Sequence, residues 1–259
     1  MKFGILGPLL VQGSGGDILT PSATKPKIVL ANLLVHPDRV VSSRQLTEEL
    51  WGETPPRTAG GALHVYVSKI RKLVDERGTR PRYSTIATRP PGYVFSMSGH
   101  DSDIDQFNRV QRQATALRKA GDSEGAVELL EQGLALWRGS ALADVRFTPR
   151  LMRTAQYLDE LYAASCEKKF EISLALGRYS ELVGELYAFA DEHPTRERVH
   201  EFLMLALYNT ERTNDALRVY TSLRNVLRDQ SGLNPSPRLQ RLQRIILSQK
   251  LERLPALHY

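Results

Sequence analysis

Between Pro55 and Phe95 the chain gathers side chains suited to gripping a polyanion. His64, Ser68, Lys69, Arg71 and Lys72 stand on one side of a helical pattern, and Arg89 follows in a short loop with Pro90, Pro91 and Gly92. The other side of that helix is apolar. Leu63, Val67, Ile70 and Val74 recur at i, i+4, i+7 and i+11, which is one face. Lysine and arginine so placed either read guanine edges in a major groove or neutralise phosphates, and the spacing does not divide the five residues between the two jobs. Arg89 is short of acidic neighbours and two prolines stiffen its loop, which suits insertion into a minor groove. Tyr93, past the turn, fits the core or a phosphate contact better than a stacking platform.

Around these groups lie the elements that would hold them. The basic helix begins after Glu53-Thr54-Pro55-Pro56, with Thr58 as a cap, and runs to Val74. Two β-like runs, Tyr83 to Ala87 and Tyr93 to Phe95, flank the Thr88–Gly92 loop as a hairpin. Upstream, Phe3 to Val11 reads as a strand, with Ile18–Leu19 as its partner across a Gly13–Asp17 turn. Lys25 to His36 reads as a first helix, with Pro26 in its first turn and Ile28, Leu30, Ala31, Leu33 and Leu34 inward. Val40–Val41 is a short bridge. Ser42 or Ser43 then caps a second helix through Leu50, and Trp51 closes the core. Strands, helix, helix, basic helix and hairpin is the order of a winged helix-turn-helix.

Charge agrees with that order. The chain has 259 residues and a net charge of +6. Thirteen basic and seven acidic residues fall in Met1–Ser98, against twenty-two of each in the remainder. A surplus confined to one segment predicts a polyanionic partner for it, double-stranded DNA above all. No apolar run approaches the roughly 20 residues that span a bilayer, so no membrane partner is expected. A single cysteine, Cys166, excludes an intrachain disulfide and reads as a buried thiol. There is no phosphate-binding glycine loop, no H-E-x-x-H and no G-x-S-x-G elbow. The six histidines lack metal spacing. The expectation is therefore no enzyme, no catalytic or metal site and no cofactor, in a cytoplasmic protein on the nucleoid.

From Asp103 onward the pattern is almost wholly helical. Ser98–Asp103 reads as a linker, with Asp103 or Asp105 capping a helix. Three segments open helices of similar grammar: one with Ala126, Leu129, Leu130 and Leu134; one with Leu182, Leu186, Phe189 and Ala190; one with Ala216, Tyr220, Leu223 and Leu227. Leu182 and Ala216 lie 34 residues apart, the tetratricopeptide period. Such units stack into a continuous core with a concave protein-binding surface. The predicted fold class is thus mainly α: a winged-helix domain over residues 1–98, then an all-α tetratricopeptide-like domain over 99–259.

Specific motifs add a resemblance. V-x-V-S-K-I-R-K-L (Val65–Leu73), T-R-x-x-G-Y-x-F (Thr88–Phe95) and L-T-E-E-L-W-G (Leu46–Gly52) resemble the OmpR-type winged helix of response regulators. No receiver domain is expected ahead of them. The second half carries W-R-G-x-A-L-A-D-V (Trp137–Val145), D-A-L-R-V-Y (Asp215–Tyr220) and G-L-N-P-S-P-R-L-Q-R-L (Gly232–Leu242). The combination is similar to the Streptomyces antibiotic regulatory protein family, an OmpR-type domain joined to a bacterial transcriptional activation domain. The resemblance implies a transcription activator of a secondary-metabolite cluster. It implies binding to direct repeats at promoters, self-association on DNA, and engagement of RNA polymerase holoenzyme. Larger members add an ATPase domain, so this chain resembles the small type or an excised fragment. Ser68 stands where response regulators often have arginine, and Gly60-Gly61 open the helix unusually, so base preference does not carry over. A repressor without activating function, or a tetratricopeptide-type scaffold, are the competing readings.

Overall fold

A computed structural model describes residues 1–75 and 84–248. They fold into two compact units, the first made of Met1–Arg112 and Gln132–Tyr162, the second of Gln113–Glu131 and everything from Ala163 on.

In the first unit the apolar periodicities become helices close to where the sequence puts them. They are α1 (Thr24–Leu34), α2 (Ser43–Trp51) and α3 (Ala59–Asp75). Every residue of α1 from Ile28 to Leu34 is buried, as a helix sandwiched on several sides requires. The α2 cap is Ser42, whose hydroxyl accepts from the Gln45 amide at 3.1 Å. α3 buries Ala59, Leu63, Val67, Ile70 and Val74. The hairpin is β4 (Ile86–Arg89) and β5 (Gly92–Phe95), with β3 (Val41–Ser42) on the far side of β5. Tyr83 lies outside the described residues.

The N-terminal strand is interrupted. Phe3 to Val11 is not one strand but a hairpin of β1 (Lys2–Gly4) and β2 (Leu10–Gln12), paired Lys2 to Gln12. The amides of Ile5 and Leu6 leave the ladder and donate to the two carboxylate oxygens of Asp103, each at 3.0 Å. Ile18–Leu19 does meet β2, through a Gln12–Ile18 bridge and the Leu19 amide on the Val11 carbonyl.

The expected linker is also structured. β6 (Asp101–Ser102) runs parallel to β1 and completes a three-stranded sheet in the order β2-β1-β6. Asp103, 2 % exposed, is the first residue of α4 (Asp103–Lys119), not the cap outside it. The hydroxyl nearest a capping role is that of Ser102, 3.4 Å from the Asp105 amide. Arg138 closes the arrangement, donating to Asp103 at 2.9 Å and to the Pro8 carbonyl at 3.0 Å. Its side chain lies against Gly7, where a Cβ would meet the Arg138 Cβ at 2.9 Å on a backbone already at φ +137. Asp144 accepts from the Leu9 amide at 2.8 Å and from Lys27 at 2.6 Å, while Ala141, Leu142 and Val145 are fully buried among winged-helix residues. The W-R-G-x-A-L-A-D-V motif is therefore packed into the core of the first unit. Trp137 stands three residues beyond α5 (Ser123–Leu134) and is half-buried, edge-on to Phe107 at 5.6 Å.

The second unit is helical among its described residues. α4, α5 and α6 (Pro149–Ala175) contribute residues to both units. α7 (Tyr179–Glu192), α8 (Glu197–Asn209), α9 (Thr213–Ser231) and α10 (Pro237–Ser248) follow. α7 packs on α8, α8 on α9, and α10 on both α8 and α9. α8 is enclosed, with Val199 to Leu207 all buried. It carries the buried acid Glu201, which Arg238 reaches at 2.7 Å, while Glu197 accepts from the Ser236 amide at 2.7 Å. Those two bonds explain the P-S-P-R motif: it turns the chain back onto α8.

Candidate nucleic-acid interface

α3 presents one open side. Val65, Ser68, Lys69 and Lys72 are exposed there, across from Leu63, Val67, Ile70 and Val74, with exposed His64 at the flank. Lys69 and Lys72 form no ion pair with any described residue, and both are exposed. Val65, 51 % exposed, sits in the middle of this side and is absent from the candidates chosen by charge. A β-branched apolar group there suits contact with a thymine methyl. Its exposure was legible only by completing the helical wheel.

The remaining candidates divide into a support and a tip. Arg71 lies at the edge of the open side and turns toward the hairpin. Its Nε donates to the Ile86 carbonyl at 2.8 Å and its Nη2 to the Thr88 hydroxyl at 2.8 Å, with the guanidinium 5.9 Å from the Tyr93 ring. It fixes the hairpin to α3 and has donors left over. Of the two readings left for Tyr93, core or phosphate contact, the structure takes the core, because the residue is 1 % exposed. Its hydroxyl instead meets His64 Nδ1 at 2.8 Å. Burial raises the Tyr93 pKa, with Arg71 opposing, so the hydroxyl stays protonated and can donate to His64. Tyr93 thus orients a residue of the open side from beneath.

Arg89 is at the tip, exposed and without an ion pair to any described residue. It pairs with Gly92 across a two-residue Pro90-Pro91 turn, Thr88 pairing with Tyr93 one step below. Gly92 is required by proximity rather than by turn geometry. β3 passes so close that a Cβ there would strike the Val41 carbonyl and lie 2.6 Å from Ser42 Cα. The Pro91 carbonyl accepts from the Ser43 amide at 3.0 Å, so the turn is tied to the start of α2 as well. On the flank of α3, Tyr66 stacks on Trp51 with centroids 6.4 Å apart, and Lys25 lies 4.8 Å above the Trp51 ring. Trp51 is half-buried and braces the α2–α3 junction.

A helix with a basic open side, braced by a three-stranded sheet whose hairpin ends in an exposed arginine, defines a winged-helix transcriptional regulator. Comparison with known proteins agrees. Residues 21–95 match the model described as transcriptional regulatory protein, C terminal, and residues 102–247 match the bacterial transcriptional activator domain. The regulatory protein DnrI of Streptomyces peucetius is 32% identical over 251 residues, covering 95% of this chain and 92% of DnrI. The transcriptional regulatory protein EmbR of Mycobacterium tuberculosis is 36% identical over 251 residues, and the chain spans 64% of its length. A solved structure of EmbR in complex with a low affinity phosphopeptide superposes with a TM-score of 0.88 at 34% identity, covering 97% of this chain and 66% of that one. The chain belongs to the Streptomyces antibiotic regulatory protein family of transcriptional regulators.

Among the described residues no helix is long and apolar enough to cross a membrane, and no group of three or more His, Cys, Asp or Glu residues is placed to hold a metal ion.

Proposed function

We propose that this protein is a cytoplasmic, sequence-specific activator of transcription that binds direct repeats at the promoter of a secondary-metabolite gene cluster. α3 enters the major groove with His64, Val65, Ser68, Lys69 and Lys72 toward the bases and phosphates, and Arg89 reaches the neighbouring minor groove. Arg71 divides its donors between the hairpin and the backbone of the DNA. The observation that carries this reading is the open side of α3, whose two lysines have no ion-pair partner among the described residues, beside an arginine held out on a braced turn.

Every residue of that surface precedes Ser98. The charge-balanced remainder is assigned the protein partners, RNA polymerase holoenzyme and a second protomer. Direct repeats place protomers head to tail, and such contacts do not close into a two-fold dimer. Weak association in solution and cooperative loading on DNA follow.

The test uses the full chain and promoter DNA from its neighbouring genes. Fluorescence anisotropy at several salt concentrations should give a log affinity that falls linearly with log salt, each neutralised phosphate contributing a slope of about −0.9. Purified polymerase should then yield more transcript with the protein than without it. Affinity indifferent to salt removes the DNA surface. Binding that lowers transcript yield makes the protein a repressor.

A further inference from the structure

The first unit contains a cleft of about 490 Å³ that no residue of α3 lines. Its floor is apolar: Phe3 and Ile5 from the N-terminal hairpin, Leu34 from the end of α1, Leu158 and Leu161 from α6. The first four of these are nearly or fully buried. Ile104 at the start of α4 forms a wall. The volume falls in the range of small-molecule sites, and apolar walls with a few placed polar groups are the usual make-up of such sites.

The polar groups stand at the mouth. Arg153 on α6 is exposed and has no hydrogen bond or ion pair with a described residue. Tyr157, one turn on, leaves 63 % of its surface open beside the apolar floor. His36 and Asn108 face the same space. Two acids also line it. Asp103 is already engaged by two backbone amides and Arg138, while Asp105 is exposed. Burial lowers the His36 pKa, and the positive charges of Arg150 and Arg39 lower it further, so the ring is neutral at pH 7 and available as a hydrogen-bonding group.

We propose that this cleft binds a small amphipathic anion, its apolar or aromatic body on the Phe3–Leu161 floor and its carboxylate or sulfonate on Arg153. Arg153 serves because it is the mouth's cation with no described partner. Tyr157 covers the body of the ligand, which accounts for a large ring left in the open at that point.

The probe is 8-anilinonaphthalene-1-sulfonate, titrated by fluorescence into the folded full chain, with N-phenyl-1-naphthylamine as the same ring system lacking the sulfonate. Saturable binding of one sulfonate probe per chain is expected. Arg153→Glu, at an exposed position, should weaken it roughly tenfold, the scale of one charge-assisted hydrogen bond. The same change should leave the neutral probe unaffected. Ile104→Trp, which fills the cleft, should abolish binding of both. Circular dichroism and thermal melting establish that each variant is folded. Equal affinity of wild type for the two probes overturns the anionic head group. Sulfonate binding that survives both substitutions overturns the site. No DNA is present in the titration, so its outcome is separate from that of the promoter experiment.

Discussion

Lys69, Lys72 and Arg89 share a property that Arg71 lacks: no described residue uses their charge. Replacing any of the three by alanine should weaken promoter binding without changing the melting temperature. A side chain that reads a base should cost about 1–3 kcal/mol and relax specificity at one position, whereas a phosphate contact weakens all sequences alike. Arg71→Ala should differ by also lowering stability, because it releases the Ile86 carbonyl and the Thr88 hydroxyl. Anisotropy and thermal denaturation on the same samples separate the two effects. Tyr93→Phe removes only the hydrogen bond to His64. It should cost about 1 kcal/mol of stability and reduce affinity through a loosened His64. Gly92→Ala should be worse than any of these, since the added carbon collides with the β3 backbone, and soluble yield or melting temperature will show it. At this scale the sequence announces charge and hides support. The lysines and Arg89 were legible from type and spacing. Tyr93 was left between the core and a phosphate contact, because its partners, Val41 and His64, come from other elements.

α1 was legible from its dense apolar run, α2 from its serine cap, and α3 from its 3.6-residue apolar period. The repeat helices α5, α7 and α9 were legible from the same period, and Ala126, Leu130, Leu186 and Leu223 are all fully buried. The N-terminal strand and the linker were misread because their order comes from distant groups. Nothing near Ile5 in sequence reveals that its amide is satisfied by Asp103, 98 residues away. The two motifs most specific to the second half were likewise opaque as sequence, and the structure gives each a physical task. Asp103→Ala should leave the Ile5 and Leu6 amides buried without partners, at roughly 1–3 kcal/mol for each, and strip Arg138 of its acid. A fall in the denaturation midpoint at unchanged m-value in urea is the expected readout. A chain cut after Ser98 loses β6, Asp103, Arg138 and the buried Ala141, Leu142 and Val145 together. It should expose apolar core and unfold at lower temperature, or less cooperatively, than a chain ending after Tyr162.

Across the whole molecule three histidines share one response to acid. His36, His100 and His200 all have pKa values lowered from 6.5, with burial the largest cause in each. In the unfolded chain they take up protons as the pH falls through 6.5, and the folded chain resists until lower pH. Their contribution to stability is therefore present above that value and is lost as pH falls through their lowered folded values. At Glu171 burial pushes the pKa up, but Arg118 and Arg198 together hold it below 4.5, so it adds a second loss as pH falls below 4.5. Melting temperature should be flat from pH 8 to 7 and decline on the way to pH 5. His200→Gln, which keeps a polar group facing the Pro194 carbonyl, should make that decline shallower.

The bond between Asp103 and the Ile5 and Leu6 amides also bears on how such regulators can be recombined. Composition changes near Ser98, and a gene spliced there looks like a clean exchange of modules. The splice would separate a strand from the carboxylate that ends its ladder, and Gly7 from the arginine it makes room for. A chimera joined at that point inherits its α3 from one parent and its Asp103, Arg138 and Asp144 from the other. It should fold only where both parents keep those three side chains in register. A crossover placed beyond Tyr162 carries the whole set from a single parent and leaves the DNA-reading surface on its own foundation.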